Sequence, residues 1–138
     1  MTKYCTESYH GIVDNKTTLD LSDDAAYINW GSSWRMPTKA ELSELISASY
    51  TTLTWTTRSG VKGYKVTSKT NGNSIFLPAA GIRKGSGRND VDSDGYYLSS
   101  LLFTGSSDIA YCLYFDSDGT YGITERCYGQ SVRPVLRE

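Results

Sequence analysis

Long apolar runs and a charge imbalance are both missing from this sequence. No apolar stretch approaches the roughly 20 residues that a membrane-spanning helix needs, and residues 1–5 lack the apolar segment of a signal peptide. The 14 basic and 15 acidic side chains nearly balance, which gives no electrostatic sign of a nucleic-acid partner. We therefore expect neither direct membrane insertion nor nucleic-acid binding. The 138 residues suffice for one domain with its own core.

Cysteine and histidine are also scarce. The three cysteines, Cys5, Cys112 and Cys127, have no CxxC spacing, and His10 is the only histidine, which argues against a structural zinc site. Two of the cysteines can pair in an oxidising compartment, and the sequence leaves open which two. We expect His10 to be a surface residue. Because no nucleophile stands in a recognisable arrangement with a base, we expect no catalytic residue and no cofactor.

Tyrosine, by contrast, is abundant and unevenly distributed. Six of the 11 tyrosines lie within residues 96–128, a stretch that contains no Trp, Met, Lys or Gln and only one glutamate, Glu125. The last lysine of the chain is Lys84. Binding surfaces use tyrosine heavily because it buries a large amphipathic surface at low entropic cost. Tyrosine also suits strands, so composition alone leaves both interpretations open.

Helix signals are confined to the front half. Ser22, Asp23 and Asp24 can cap a short helix that runs to about Trp30, and Gly31 stops it. The inner side of this helix is expected to carry Ala25, Ala26 and Ile28. A second helix is indicated by the capping-box sequence Thr38-Lys39-Ala40-Glu41, followed by one apolar face of Leu42, Leu45 and Ile46.

From residue 53 onward the pattern is typical of strands. Residues 53–57 are rich in β-forming residues. Residues 63–70 and 73–77 flank Asn71-Gly72, a strong hairpin signal. Residues 83–95 are polar and glycine-rich and predict a long surface loop, and further strands are expected at 96–99, 109–115 and 131–136. Two helices followed by a run of strands predict an α+β domain.

Alternation within residues 111–116 predicts two faces for one strand. The core face is expected to hold Tyr111, Leu113 and Phe115. The outward face, either solvated or used for recognition, is expected to hold Cys112, Tyr114 and Asp116. Elsewhere, we expect three tryptophans in the core (Trp30, Trp34 and Trp55), and we expect Arg35 and Arg133 each to form a buried or half-buried hydrogen-bonded pair.

Four short motifs occur in a recognisable order. They are Trp34-Arg35-Met36-Pro37-Thr38 leading to Glu41-Leu42, then Phe76-Leu77-Pro78-Ala79-Ala80-Gly81, then Gly95-Tyr96-Tyr97-Leu98-Ser99-Ser100, and then Gly129-Gln130-Ser131-Val132-Arg133-Pro134-Val135. Together they resemble a branch of the C-type lectin fold that is shared by formylglycine-generating-enzyme-like domains and by variable proteins of diversity-generating retroelements. The resemblance is closest to variable proteins of gut Bacteroides and their phages, and it runs from about residue 23 to the end. Leu98 departs from it, since the family usually has Trp there.

The resemblance implies a hypervariable region. In that family, adenines in one stretch of the gene are randomised, and Asn codons become codons that cannot encode Trp, Met, Lys, Gln or Glu, which agrees with the composition of residues 96–128. It implies a single C-type-lectin-like domain over 1–138: an N-terminal segment 1–21, a scaffold 22–95, a variable binding region 96–128 and a closing strand 129–138. The expected variable, ligand-binding positions are Tyr96, Leu98, Phe103, Ser106, Asp108, Ile109, Cys112, Tyr114, Asp116, Tyr121, Ile123, Thr124, Cys127 and Tyr128.

The function implied by the resemblance is that of a diversified receptor or adhesin domain. Its partner would be a protein or glycan on a cell or host surface, and its location would be extracellular, at a cell surface or on a phage particle. Formylglycine-generating enzymes use a cysteine pair near their C-terminal end. Cys112 and Cys127 fit randomised codons better than that catalytic pair, although an oxidase-like enzyme stays open as an alternative.

The other alternative is a fixed-specificity carbohydrate-binding lectin or adhesin tip domain, and the sequence leaves open whether it depends on calcium. Asp90, Asp92 and Asp94, followed by Gly95, resemble the opening of a calcium loop. Leu101 stands at the twelfth position, however, where an EF-hand has a bidentate carboxylate. The competing interpretation of this segment is a polar turn whose aspartates cap their own backbone. The sequence therefore offers only a weak calcium candidate.

Overall fold

The computed structural model describes residues 1–137, apart from the side chain of Tyr121. Within that part of the chain, two short helices combine with several small antiparallel sheets, which agrees with the α+β class. The helices are α1 (Ala25–Trp30) and α2 (Lys39–Leu45), and a single 3₁₀ turn, Leu21–Asp23, precedes α1. The strands are β1 (Trp34–Arg35), β2 (Thr51–Arg58), β3 (Val61–Ser68), β4 (Ser74–Pro78), β5 (Ile82–Lys84), β6 (Gly87–Asn89), β7 (Gly95–Leu102), β8 (Ile109–Phe115), β9 (Thr120–Glu125) and β10 (Val135–Leu136).

Helix α1 begins at a buried aspartate. The carboxylate of Asp24 accepts hydrogen bonds from the backbone of Ala26 (2.8 Å) and of Met36 (2.8 Å), so it caps the helix and ties it to the segment after β1. The prediction of Ile28 and Trp30 as inner residues was wrong, since they are 60% and 54% exposed. Only Ala26 of this helix is buried, and Ile28 lies about 200° away from it around the helix axis.

Helix α2 has the predicted capping box. The hydroxyl of Thr38 accepts a hydrogen bond from the backbone of Glu41 (3.2 Å), and the Glu41 carboxylate accepts one from the backbone of Thr38 (2.8 Å). The predicted pairing of Arg35 is also confirmed, because its guanidinium meets both oxygens of Glu41. Arg133 is exposed instead, so the prediction of a buried pair was wrong there.

Strands β2, β3 and β4 form one antiparallel sheet, with the predicted hairpin joining β3 and β4. The hairpin contains Asn71-Gly72, and Gly72 adopts a left-handed conformation (φ 75°) that glycine tolerates best. Residues 83–95, predicted as one long loop, instead contain most of a β5–β6 hairpin followed by a turn over residues 90–94. The residues of that hairpin after Ile82 are exposed, which is why they show no apolar pattern.

Strands β7, β8 and β9 form the second three-stranded sheet. Strand β9 was not predicted, because Gly122 and the polar residues around it weaken its alternation. The strand predicted at 131–136 is reduced to β10, which pairs with β1. Ser131 makes only an isolated parallel bridge to Tyr97 on the outer edge of β7, and Pro134 then interrupts the backbone donors.

The core lies where α2 and the two larger sheets meet. Leu42 of α2 packs with Tyr64, Leu77, Tyr97, Leu113 and Phe115, which are contributed by β3, β4, β7 and β8. The Phe115 ring stacks on Tyr97 (5.9 Å between centroids) and meets Tyr64 edge-on (5.2 Å). Trp55 is half-buried and packs against this core. Trp34 is half-buried in β1, outside this cluster, and Trp30 is exposed.

A bulge between β8 and β9 changes the predicted alternation. Tyr111 pairs with Ile123 and Tyr114 with Tyr121, so two residues of β8 face the single residue Gly122. Cys112, predicted to face outward, is consequently 6% exposed, and its neighbour Leu113 is also buried. The outward prediction was therefore wrong for Cys112, whereas Tyr114 and Asp116 remain half-exposed.

Candidate ligand-binding surface

Residues of β7 alternate between the core and the surface from Gly95 to Ser99. Gly95, Tyr97 and Ser99 are buried, while Tyr96 and Leu98 between them are half-buried. The hydroxyl of Tyr97 donates to the carbonyl of Pro78 (2.9 Å) and anchors the strand to the first sheet. This anchoring fixes the opposite direction for Tyr96.

Two tyrosines form the centre of one cluster. Tyr96 and Tyr114 are cross-strand partners whose rings stack, with centroids 4.7 Å apart and planes 28° from parallel. Both hydroxyls donate to the same oxygen of Asp94, at 3.4 Å from Tyr96 and 3.0 Å from Tyr114. The Tyr114 hydroxyl also lies 3.4 Å from Oδ2 of Asp116. Tyr121 pairs with Tyr114 through its backbone, and its side chain is outside what the structure describes.

Burial and the nearby carboxylates keep both hydroxyls protonated. Burial, followed by the charge of Asp94, raises the pKa of Tyr96 to about 12. Burial, followed by the hydrogen bond to Asp94, raises the pKa of Tyr114 well above its ordinary value of 10.0. Both phenols therefore act as hydrogen-bond donors across the physiological range.

A second group of predicted positions borders a groove beside α2. The groove has a volume of about 430 Å³. Lys39 and Leu42 of α2 and Ile46, which follows the helix, line one side, and Tyr111 and Ile123 of the sheet line the other. Lys39 Nζ lies 3.8 Å from the centre of the Tyr111 ring. The predicted position Ile123 is 48% exposed there, and the predicted position Phe103 meets the Tyr111 ring edge-on at 5.5 Å. Ile109, half-buried at the start of β8, belongs to the same end of the sheet.

A third group lies on the loop between β7 and β8, against the N-terminal segment. Ser106 donates to Asp108, and His10 Nε2 lies 3.2 Å from the Ser106 hydroxyl and 3.6 Å from Asp108 Oδ1. His10 also lies 3.4 Å from Glu7. Its side chain is 17% exposed, so this predicted surface residue is half-buried. No local sequence pattern indicates a contact between residues about 100 positions apart.

The remaining predicted positions are not brought together on one surface. Cys112 is 6% exposed and lies in the wall of the α2 groove. Thr124 is buried, and Leu98 lines a cavity of about 230 Å³ beneath the N-terminal segment. Cys127 is exposed. Tyr128 is half-buried, with Lys84 Nζ 4.7 Å from the centre of its ring.

The three cysteines are free thiols, and Cys112 and Cys127 do not form a pair. Cys112 is buried within β8, whereas Cys127 is exposed in the turn that follows β9. Burial raises the pKa of the Cys112 thiol to about 12, so this thiol is a poor nucleophile at neutral pH.

The weak calcium candidate has the geometry of a polar turn. The carbonyl of Asp90 accepts hydrogen bonds from the backbone of Ser93 (3.2 Å) and Asp94 (2.9 Å). Asp90 and Asp92 have positive φ values of 61° and 64°, which aspartate tolerates. The Asp94 carboxylate accepts from tyrosine hydroxyls instead of converging with the other two. Across residues 1–137, no three His, Cys, Asp or Glu side chains are placed to hold a metal ion.

Comparison with known proteins gives no relative: no protein-family model, curated protein or solved structure matches the chain. None of the helices within residues 1–137 is long and apolar enough to cross a membrane.

Proposed function

We propose that the chain is a ligand-binding module of the C-type lectin fold and a diversified variable protein of the retroelement-linked kind. Its binding surface consists of the half-exposed and exposed side chains of the β7–β8–β9 sheet, together with the loop between β7 and β8. Its function is to recognise a protein or glycan on a cell or host surface, outside the cell that makes it. It carries out no catalysis.

The observation that carries the proposal is the separation of surface from core along two paired strands. Tyr96 and Tyr114 stack on one side, while their chain neighbours Tyr97 and Phe115 stack in the core. Substitution of Tyr96 or Tyr114 therefore removes no contact of the core. A site whose residues are diversified requires this separation. Half-exposed aromatic side chains of this kind are common anchors in binding surfaces.

Two residues of the expected variable set are buried, which reduces the number of positions that can contact a ligand directly. Cys112 and Thr124 have almost no exposed area, so the proposal assigns direct ligand contact to the tyrosine pair, the α2 groove and the β7–β8 loop. Thr124 acts on the ligand only through the packing of the sheet. Cys112 lies in the wall of the α2 groove and therefore also contributes to the shape of that groove.

Tolerance to randomisation tests this proposal directly. One library randomises Tyr96, Phe103, Tyr114 and Ile123, and a matched library randomises Tyr97, Leu113, Phe115 and Leu77. Both are displayed and scored for the fraction of clones that resist protease. We expect most clones of the first library and few of the second to stay folded. Equal losses in the two libraries would contradict the proposal.

Sibling genes provide the evolutionary test. Differences among them are expected to concentrate at the positions of the variable set, and the neighbouring DNA is expected to hold a reverse transcriptase gene with a near-copy of the segment encoding residues 96–135. Substitutions spread evenly along the chain, with neither element nearby, would overturn the retroelement assignment.

A further inference from the structure

One end of the second sheet combines aromatic rings with uncompensated negative charge. The acidic tyrosine patch comprises Tyr96, Tyr114, Asp94 and Asp116, all of which are half-exposed. Asp90, Asp92 and Asp118 stand in the adjoining turns and are exposed. Among residues 1–137, no ion pair includes any of these five aspartates.

The hydroxyls of the patch do not satisfy its carboxylates. A neutral phenol donates one proton, and Asp94 Oδ2 lies within hydrogen-bond distance of both hydroxyls. Oδ2 of Asp116 lies 3.4 Å from the same Tyr114 oxygen. Two carboxylates therefore approach one phenol, whose single proton cannot satisfy both of them.

The carboxylates are held in place before any ligand arrives. Oδ1 of Asp116 accepts hydrogen bonds from the backbone of Asp118 (2.8 Å) and Gly119 (3.0 Å), which leaves Oδ2 directed towards Tyr114. Asp94 is fixed by the two hydroxyls and by its backbone, which donates to the carbonyl of Asp90 (2.9 Å). A preorganised site loses little entropy when it binds.

Two other tyrosine rings of the chain each have a lysine ammonium group over them. Lys39 lies over Tyr111 and Lys84 lies over Tyr128. At Tyr96, by contrast, the acting charges are those of Asp94 and Asp90, both negative. The patch therefore has the charge complementary to an incoming cation.

We propose that the acidic tyrosine patch binds a positively charged side chain, with arginine preferred to lysine, on a basic peptide segment of a protein partner. This proposal rests on the proposed binding function and names its partner. A guanidinium can lie against an aromatic ring and donate through its planar fork to both carboxylates. A neutral sugar can stack on the rings but leaves both negative charges uncompensated, so the geometry favours the peptide.

Fluorescence anisotropy with three labelled peptides tests the proposal: hexa-arginine, hexa-lysine and the uncharged hexa-citrulline. We expect saturable binding in the order arginine, lysine, citrulline, weakening as salt is added. Asp94→Asn and Asp116→Asn should each weaken hexa-arginine binding roughly fivefold. Asp116→Asn keeps Oδ1, and with it the turn, so it removes charge without removing the cap. Tyr96→Leu should weaken binding as well, with circular dichroism and thermal unfolding as checks of the fold.

The matched control is Glu44→Gln, which removes one exposed carboxylate on α2. It should leave hexa-arginine binding unchanged. Equal weakening by Glu44→Gln and Asp94→Asn would mean general attraction to an acidic surface and would overturn the proposal. Absence of saturable hexa-arginine binding by the folded protein would overturn it as well.

A glycan array with the same variants separates this proposal from the proposed function. Glycan binding that is lost in Tyr96→Leu and kept in Asp94→Asn would overturn the cationic partner while supporting a binding module. Failure of the randomisation test would overturn the diversified surface itself, whatever the peptides show. Loss of hexa-arginine binding confined to patch variants would support the cationic partner.

Discussion

Arg35 and Glu41 form a two-pronged ion pair between β1 and the first turn of α2. Nη1 of Arg35 lies 2.7 Å from Oε2 of Glu41, and Nη2 lies 2.7 Å from Oε1. The same carboxylate accepts a hydrogen bond from the backbone of Thr38 (2.8 Å) and caps the helix. One side chain thus holds the orientation of α2, the helix that borders the groove and contributes Leu42 to the core.

Removing the charge of Glu41 should destabilise the fold measurably. We expect Glu41→Gln to lower the free energy of unfolding by about 1 kcal/mol, because it weakens both an ion pair that is partly open to solvent and a helix cap. Glu44→Gln, on the same helix but exposed, should change it by less than about 0.5 kcal/mol. Urea denaturation of the three proteins measures the difference, and equal midpoints for the two variants would contradict the prediction.

The ion pair between Arg35 and Glu41 should make the free energy of unfolding depend on pH in the acidic range. The hydrogen bond from Arg35 is the main cause that lowers the pKa of Glu41 from 4.5 to about 2. A carboxyl whose pKa is depressed by folding stabilises the protein fully above its unfolded pKa and loses this contribution as the pH falls through its folded pKa. The stability difference between the wild type and Glu41→Gln should therefore shrink between pH 4.5 and about pH 2. A difference that stays constant over that window would show that the ion pair does not contribute.

A methyl group at Gly95 should disturb the core beneath the acidic tyrosine patch. A Cβ atom at this position would stand 2.1 Å from Cζ of Phe115, whose side chain is almost wholly buried. We expect Gly95→Ala to cost about 1–3 kcal/mol through overpacking. Gly122→Ala, in the same sheet, has nothing within 4 Å of the new atom, so thermal unfolding should show a near-neutral effect. A neutral Gly95→Ala would contradict the packing at Phe115.

Local patterns were sufficient to predict the parts of the fold that depend on near neighbours. The capping box at Thr38 and Glu41 needs only residues three apart, and the Asn71-Gly72 hairpin needs only its turn. The strand over 109–115 was predicted with its observed limits, because alternation and β-forming residues coincide there. These elements are fixed by interactions within about ten residues.

Long-range packing accounts for the parts that the sequence did not reveal. The bulge opposite Gly122 buries Cys112 and is set by the pairing of β8 with β9, not by either strand alone. Ile28 is apolar yet exposed, because it lies about 200° around the helix axis from Ala26, the buried residue of α1. The contact of His10 with Ser106 joins segments that are 96 residues apart in the chain. Strand alternation predicted the outward faces of Tyr114 and Asp116, which are half-exposed, whereas Tyr96 was expected in the variable set only from the family resemblance.

Tyrosine ionisation should report the packing of β7. Burial raises the pKa of Tyr97 to about 12, and the pKa of Tyr96 is also raised to about 12. A phenol whose pKa is raised by folding contributes stability that is complete below the unfolded value of 10.0 and is lost as the pH rises through the folded value. Alkaline absorbance titration should therefore show a late-ionising group of tyrosines that also includes Tyr114, whose pKa is raised as well. This group should lose one member in Tyr97→Phe and one in Tyr96→Phe. Ionisation of all tyrosines near pH 10 would contradict the burial of both.

Arg126 should hold the N-terminal segment against the β7–β8 loop. Its guanidinium donates to the carbonyls of Tyr4 (2.8 Å) and Ser107 (2.7 Å), and the buried Ser107 hydroxyl accepts a hydrogen bond from the backbone of Thr6 (2.9 Å). Arg126→Gln removes the charged donor between the two carbonyls, which should cost about 1–3 kcal/mol. It should also speed amide hydrogen exchange at Thr6 and in the loop, while Arg88→Gln, at an exposed position of β6, leaves exchange unchanged. Unaltered exchange at Thr6 in Arg126→Gln would mean that the segment is held by its other contacts. Loosening in that variant would show instead that the loop carrying Ser106 and Asp108 takes its shape from a residue outside the expected variable set.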